Sequence, residues 1–161
     1  MPARSRVRKT RSPRSRRTRL VLNIQIASQR AQVPAPACFR LWARAALRKS
    51  GEITVRIVGA AEARRLNRRY RGRDYATDVL AFSYGEPRGA LQGDLVLCAP
   101  VVAREAREQG KTLQAHFAHL TVHALLHLQG YDHARKRDAE RMEAQERRLL
   151  AKLGYPDPYA G

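Results

Sequence analysis

Five histidines, all between residues 116 and 133, are the side chains of this sequence best suited to chemistry. His123 and His127 are four residues apart, so on a helix they lie on the same face. Gly130 follows, and because glycine commonly ends a helix in a left-handed conformation, the chain can turn there and bring His133 beside the other two. Three converging imidazoles are typical of zinc, which binds nitrogen ligands tetrahedrally and keeps its fourth position open in catalytic sites. The spacing therefore predicts one Zn²⁺ per chain, with His123, His127 and His133 as its ligands.

The spacing H-x-x-x-H-x-x-G-x-x-H also occurs in the metzincin proteases, but here one functional group is missing. Those enzymes carry a glutamate directly after the first histidine as general base. This chain has Ala124 there, which cannot transfer a proton, so peptide hydrolysis is disfavoured. His116 and His119 precede the predicted ligands on the same helix. We expect both to pack or to hydrogen-bond around the site, with His119 as the alternative ligand because it lies beneath His123.

The net charge of +18 over 161 residues indicates a polyanionic partner, and nucleic acid is the commonest one. Residues 1–19 carry nine Lys or Arg and no acid, which leaves +9 on the remainder. The alternative is that abundant arginine reflects the base composition of the genome rather than a ligand. Aromatic residues make up only 6% of the chain, so no platform for base stacking is evident from the sequence.

Residues 1–19 are predicted to be a disordered basic extension, since like charges repel and bury no apolar surface. Three interpretations stay open: an arm that binds phosphates, an organellar targeting segment, or non-native sequence from a start codon assigned too early. Residues 20–161 are predicted to be a single domain, without an apolar run long enough to span a membrane. Cys38 and Cys98 are isolated, which favours a reducing compartment, and we expect a cytoplasmic protein.

Alternating apolar positions and turn residues divide the domain into strands and helices. Strands are predicted at 20–26, 53–58, 79–84 and 94–98, and helices at 37–49, 60–70, 100–109, about 112–129 and 134–152. The second helix has a basic face made of Arg64, Arg65, Arg68 and Arg69. Strands interleaved with helices predict an α+β (α/β-like) fold: helices pack on a small mixed four-stranded sheet, and the histidines lie on a zincin-like helix.

Two motifs together carry a resemblance to a known family. One is Tyr70-Arg71-Gly72-Arg73-Asp74 followed by Thr77-Asp78-Val79-Leu80-Ala81-Phe82, and the other is the histidine segment 123–133. They resemble the YbeY family of bacterial metal-dependent endoribonucleases, and the likeness continues through 93–96, 105–110 and the ending 154–159. The chain departs from the family at Ala124, where Gly is common, and at 81–83, where Ser-Phe-Pro is common.

The resemblance implies a catalytic set of Arg71, His123, His127 and His133, with Arg71 facing a zinc ion held by the histidines. It also implies a single-strand-specific endoribonuclease that matures the 3′ end of small-subunit rRNA and acts in ribosome quality control. The expected partners are precursor rRNA and the ribosome or its small-subunit proteins, with no membrane and no small organic cofactor. A zinc-stabilised assembly factor without catalysis is the alternative, and a hydrolase acting on another substrate ranks third.

The route of the proton stays open at the level of sequence. Because no glutamate follows His123, the proton released during cleavage must be transferred by another group. That group is the water on the metal, a phosphate oxygen or the RNA 2′-hydroxyl. The last route would make the enzyme RNA-specific and leave a cyclic phosphate. Asp132 and Asp78 are either residues that orient the metal ligands from behind, or a turn residue and a cap of a helix or strand.

Overall fold

The fold of this protein, taken from a computed structural model, is described for residues 19–28, 32–85 and 88–160. Within those residues the chain forms four strands and five helices, in the mixed order that the sequence predicts. They are β1 (Leu20–Ile26), α1 (Pro36–Ala46), β2 (Gly51–Val58), α2 (Ala60–Arg71), β3 (Val79–Tyr84), β4 (Leu91–Cys98), α3 (Ala99–Glu108), α4 (Leu113–Leu128) and α5 (Lys136–Lys152).

The strands form one mixed sheet with the order β1-β2-β4-β3. β1, β2 and β4 are parallel, because helical crossovers connect them, and β3 is antiparallel to β4. Strand β3 is therefore an edge strand, and its register pairs Ala81 with Leu95 and Phe82 with Asp94. This confirms the α+β expectation of a small mixed sheet packed by helices.

Apolar residues on both faces of the sheet build two clusters of unequal size. The larger cluster joins the sheet to α1, α3, α4 and α5, with Phe39, Trp42 and Phe117 among its fully buried side chains. The smaller one lies under α2 on the opposite face, around Val58 and Leu80. Helix α4 is buried along most of its length, because the sheet and three helices surround it. The histidine helix is thus the rigid centre of the fold.

The structure moves several predicted boundaries. Helix α1 ends at Ala46 rather than Lys49, since Leu47 already has an extended backbone at the C-cap. Strand β4 begins at Leu91 rather than Asp94, because Leu91 to Gly93 pair with the start of β2. The polar and glycine residues at 92–94 hide this extension when only apolar residues are counted. Helix α5 begins at Lys136, two residues later than predicted.

The predicted basic extension lies almost wholly outside the described residues, which begin at residue 19. Within the described part of the chain, no helix combines the length and the apolar character needed to cross a membrane.

Candidate metal centre

Helix α4 carries the first two predicted ligands and ends where the sequence indicates. Its first turn is capped by the Thr112 side chain, which accepts the Ala115 N–H at 3.1 Å. At the other end the backbone reaches Gly130 with a φ of +98°, a conformation that costs glycine little. The chain then reverses and brings His133 back over the helix. His123 is half-buried, while His127 and His133 are exposed.

Two of the three pairs of predicted ligands have rings close to each other. The ring centroid of His133 is 6.0 Å from that of His123 and 5.9 Å from that of His127. Imidazoles that each place a nitrogen about 2.1 Å from one tetrahedral ion have centroids roughly 5 to 6 Å apart. Both distances lie at the upper end of that range, and among the described residues only His119, His123 and Glu146 place potential ligand atoms within 4.8 Å of one another, so the rings of the three predicted ligands would have to move closer to hold one ion.

The hydrogen bonds behind the rings fix which nitrogens are free for a metal. His123 donates its Nδ1–H to Glu146, and His127 donates its Nδ1–H to the Tyr131 carbonyl at 3.1 Å. Each ring then presents a neutral Nε2 lone pair on its other side, which is the form that binds a metal. Carboxylate and carbonyl acceptors of this kind commonly support metal-bound histidines. The donor set thus fits a divalent zinc ion.

Glu146 is the functional residue that sequence reasoning missed. Its side chain is completely buried on α5 and accepts hydrogen bonds from His123 and from the Tyr159 hydroxyl. Burial alone would raise the pKa of this carboxyl, but contacts with His119, His123 and Tyr159 outweigh burial and lower the pKa to about 2. Burial, and after it the same carboxylate, raises the pKa of the Tyr159 hydroxyl. The site therefore contains a carboxylate that is ionised at neutral pH and orients His123.

A signal for Glu146 does exist in the sequence. Met142, Leu149 and Leu150 form the buried stripe of α5, and Glu146 occupies an inward position of that stripe. A charged residue there must be paired, because an unpaired buried charge is very costly. The position thus indicates an interior partner, although the sequence does not reveal which one.

His119 lies between the predicted site and the interior. Its Nε2 is 3.5 Å from Glu146 Oε2, and its ring centroid is 6.2 Å from that of His123. Among the described residues, potential ligand atoms of His119, His123 and Glu146 lie within 4.8 Å of one another, so this group could hold a metal ion. In that arrangement His123 would use Nδ1, and the ion would displace hydrogen bonds of a buried carboxylate. A buried ion would also be shielded from a large substrate, so the two possible sites differ in function.

Arg71 is the last residue of α2 rather than part of a turn, and Gly72 caps that helix with a φ of +68°. Its guanidinium group lies against the edge strand β3. Nη2 donates to the Ala81 carbonyl at 2.9 Å, and Cζ lies 5.2 Å from the centre of the Phe82 ring. These two contacts hold the guanidinium in place while leaving it exposed to solvent.

All four predicted site residues line one small cavity. Its volume is about 170 Å³, and it is lined by Arg71, Val79, Leu80, Ala81, His123, Ala124, His127 and His133. A water molecule takes up about 30 Å³ in the liquid, so the cavity has room for a phosphate group and some water. The lining includes a guanidinium and three imidazoles but no carboxylate, so the cavity suits an anion.

The structure gives the two predicted aspartates local roles. Asp132 accepts the backbone N–H of His133 at 2.7 Å and of Ala134 at 3.1 Å, and these bonds lower the pKa of its carboxyl. It therefore shapes the turn that delivers His133. Asp78 accepts the N–H of Val79 at 2.7 Å at the start of β3, and its carboxyl also lies beside that of Glu105.

A second group of polar residues lies deeper in the protein, near the N-terminal end of α4. His116 is almost completely buried, and its Nε2 is 3.3 Å from Glu105 Oε1. Burial, with a smaller effect of Lys111, lowers the pKa of His116 to about 4. Burial and the nearby Asp78 raise the pKa of Glu105 to about 7. His116 is therefore a neutral packing residue, as the sequence indicates.

Comparisons with known proteins show which proteins the chain is similar to. A sequence model of the family described as Endoribonuclease YbeY matches residues 23–154. The Endoribonuclease YbeY of Aromatoleum aromaticum is 62% identical over 146 residues, covering 89% of this chain and 94% of that protein. The Endoribonuclease YbeY of Methylobacillus flagellatus is 56% identical over 142 residues, covering 88% and 95%. A solution structure of TM1509 from Thermotoga maritima has a similar fold, with a TM-score of 0.52, 22% identity, and coverage of 88% of this chain and 100% of that one.

Proposed function

Since this chain belongs to the Endoribonuclease YbeY family and is thus an endoribonuclease, we propose that it is a zinc-dependent enzyme specific for single-stranded RNA. We further propose that it acts in the cytoplasm, in maturation of the 3′ end of small-subunit rRNA and in ribosome quality control. Its partners would be precursor rRNA and the ribosome or small-subunit proteins. The observation that carries the proposal is the single cavity that Arg71 shares with three convergent imidazoles.

The zinc ligands in this proposal are His123, His127 and His133. Two observations favour them over the deeper group that includes His119. Nδ1 of His123 and of His127 is already engaged, so both Nε2 atoms remain free. The three rings also line a cavity that an RNA strand can reach, whereas Glu146 is fully buried. When bound, zinc would supply a Lewis-acid charge that polarises a phosphate and lowers the pKa of bound water towards about 7.

Arg71 would stabilise the phosphate during cleavage. Its contacts with Ala81 and Phe82 use one N–H and one face of the guanidinium. The remaining N–H groups are available for two phosphate oxygens, a geometry in which arginine binds bidentately. Because the phosphorus gains negative charge on its oxygens in the transition state, a fixed cation there lowers the barrier more than it strengthens substrate binding.

The nucleophile in this proposal is the RNA 2′-hydroxyl next to the scissile phosphate. Its oxygen bonds to phosphorus, the bond from phosphorus to the 5′-oxygen breaks, and water carries the released proton to that leaving oxygen. The support is that no carboxylate lines the described cavity, that its three imidazoles are assigned to zinc in this proposal, and that Ala124 occupies the position of the metzincin glutamate. The products would be a 2′,3′-cyclic phosphate and a free 5′-hydroxyl.

A single-turnover cleavage assay tests the proposal. Parent protein and His127→Ala are each mixed in excess with a labelled single-stranded RNA, with the DNA of the same sequence, and with RNA carrying one 2′-deoxy nucleotide. We expect the parent to cut RNA but not DNA, and to leave uncut the RNA with a deoxy nucleotide at the cleavage site. We expect His127→Ala to be inactive. Equal cleavage of DNA would contradict the role of the 2′-hydroxyl. Zinc binding without any cleavage would favour the assembly-factor alternative.

The proposed role in rRNA maturation needs a separate test. Depletion of the protein in its own cells should cause small-subunit rRNA with an unprocessed 3′ end to accumulate, measured by mapping of RNA ends. Restoration by the parent gene but not by His127→Ala would support the role. Normal 3′ ends after depletion would contradict it.

A further inference from the structure

Three exposed or partly exposed aromatic rings lie at the edge of the sheet, and two of them, Tyr70 and Phe82, are in contact. Tyr70 and Tyr84 are 52% and 53% exposed, so both rings are accessible to a ligand. The ring of Tyr70 packs edge-on against Phe82 at a centroid distance of 5.3 Å. Phe82 and Tyr84 point to the same side of β3, since side chains alternate along a strand. Although aromatic residues are scarce in the whole chain, they are thus concentrated here.

Two arginines stack on this aromatic group. The Cζ atom of Arg69 lies 5.3 Å from the centre of the Tyr70 ring, and that of Arg71 lies 5.2 Å from the centre of Phe82. Guanidinium planes and aromatic rings are the two side-chain surfaces on which unpaired bases stack. We call Tyr70, Phe82 and Tyr84, together with these two arginines, the aromatic platform.

Arg71 connects the platform with the metal centre. One side of its guanidinium faces Phe82, while the same group bonds to the Ala81 carbonyl and lines the cavity of the three histidines. The Ala81 carbonyl points to the free side of β3, because it accepts a hydrogen bond from outside the sheet. An RNA strand whose phosphate lies in the cavity therefore reaches the platform by passing over the edge of the β-sheet.

The charge around the platform is basic on the side of α2, whereas the Asp94 carboxylate lies beside Tyr84. Arg64 is paired with Asp74, at 2.8 Å. Within the described part of the chain, no carboxylate lies within 4.0 Å of the guanidinium groups of Arg65, Arg68 or Arg69. These side chains on α2 can therefore neutralise backbone phosphates next to rings that stack bases.

From these observations we propose that the aromatic platform stacks one or two unpaired bases of the RNA strand next to the scissile phosphate. This inference rests on the proposed function, and it adds the way in which that enzyme distinguishes single-stranded from paired RNA. Bases held in a duplex cannot leave their own stack to lie on Tyr70 and Tyr84. Stacking is also tolerant of sequence, since every base has a π face. The platform thus selects for unpaired nucleotides rather than for a particular sequence.

Tryptophan fluorescence tests base stacking directly. The chain has a single tryptophan, Trp42, which is completely buried and gives a constant background. Tyr70→Trp places a second indole on the platform, and Leu41→Trp places one at a site that is 57% exposed on α1, as the matched control. We expect RNA to quench the emission of Tyr70→Trp and to leave Leu41→Trp unchanged. An abasic ribose-phosphate strand of equal length should leave both unchanged, and equal quenching by the abasic strand would overturn the proposal.

An affinity measurement keeps the test independent of cleavage. Parent protein, Tyr70→Leu and Tyr70→Phe are titrated by fluorescence anisotropy with RNA that carries one 2′-deoxy nucleotide and is checked by gel to be intact after each titration, and with the same RNA lacking one base at each position near that nucleotide. Loss of the stacked base should weaken binding to the parent about 5- to 100-fold, in keeping with a single stacked base. Tyr70→Leu should be insensitive to that loss, and Tyr70→Phe should resemble the parent.

The outcomes separate this proposal from the proposed function. If the parent cuts RNA but no missing base changes its affinity, the platform is wrong and the nuclease stands. If base-dependent binding requires Tyr70 but no RNA is cut, the platform is right and the catalytic proposal fails. Failure of RNA to bind at all would overturn both.

Discussion

Replacement of Glu146 by glutamine should weaken zinc binding about 10-fold without unfolding the protein. The carboxylate receives hydrogen bonds from His123 and Tyr159 and is fully buried. Glutamine can keep both contacts, since its carbonyl accepts from His123 and its amide donates to the tyrosine oxygen. What it loses is the negative charge that strengthens His123 as a ligand. Loss of such supporting residues costs about 10- to 100-fold in metal affinity, or about 1.4 to 2.8 kcal/mol, and glutamine should lie at the lower end.

Glu146→Leu should cause the larger loss of zinc affinity. It leaves the His123 Nδ1–H and the Tyr159 hydroxyl without a partner, and each unsatisfied buried group costs about 1 to 3 kcal/mol. We therefore expect a loss of zinc affinity of about 100-fold or more, together with a lower melting temperature. The assay is competition with a zinc chelator of known affinity, with Glu140→Gln on the exposed side of α5 as control. Unchanged zinc affinity in both Glu146 variants would refute the assignment of His123 Nδ1 to this carboxylate.

Three further predictions follow from other parts of the structure. Arg71→Lys keeps the charge but loses the fork and the contact with Phe82, so single-turnover cleavage should slow about 100-fold or more while zinc content stays unchanged; loss of zinc instead would contradict this role. Gly93→Ala should destabilise the fold by about 1 to 3 kcal/mol in chemical denaturation, since its Cβ would lie 2.8 Å from the Phe82 carbonyl oxygen. Gly59→Ala, with no atom within 4 Å of its Cβ, should be nearly neutral as a control. Burial lowers the pKa of His116 to about 4, so the folded chain binds fewer protons than the unfolded chain, and stability should fall as the pH drops from 6.5 towards 4. His116→Gln should reduce that fall. The raised pKa of Glu105 has the opposite effect on stability in both proteins, so the difference between the two curves of stability against pH reports His116. Parallel curves would contradict the assignment.

The local patterns of this chain predict its elements well. Strand β2 alternates buried and more exposed residues over most of its length, and α4 is bounded by a threonine cap and a glycine turn. These signals act within a few residues, so they are readable without tertiary information. The start of β4 is the counterexample. Leu91 to Gly93 lack a strand pattern of their own and become a strand because β2 offers them hydrogen-bonding partners.

Local sequence patterns predict only part of the site. Spacing alone places His123 and His127 on one face, and the turn at Gly130 brings in His133. Glu146 follows His123 by 23 residues and becomes its neighbour only because α5 packs against α4. The aromatic platform likewise joins the end of α2 to an edge strand. Contacts of this kind depend on how elements pack, which a local pattern does not contain.

The measurement that tests the account most directly is metal content by mass spectrometry, made on four purified proteins whose RNA cleavage is assayed in parallel. They are the parent, His127→Ala, His133→Asn and His119→Asn. The account predicts about one zinc per chain in the parent and in His119→Asn. It also predicts loss of both zinc and cleavage in His127→Ala and His133→Asn. Zinc retained in those two variants but lost in His119→Asn would contradict it, and would place the ion in the buried group of His119, His123 and Glu146.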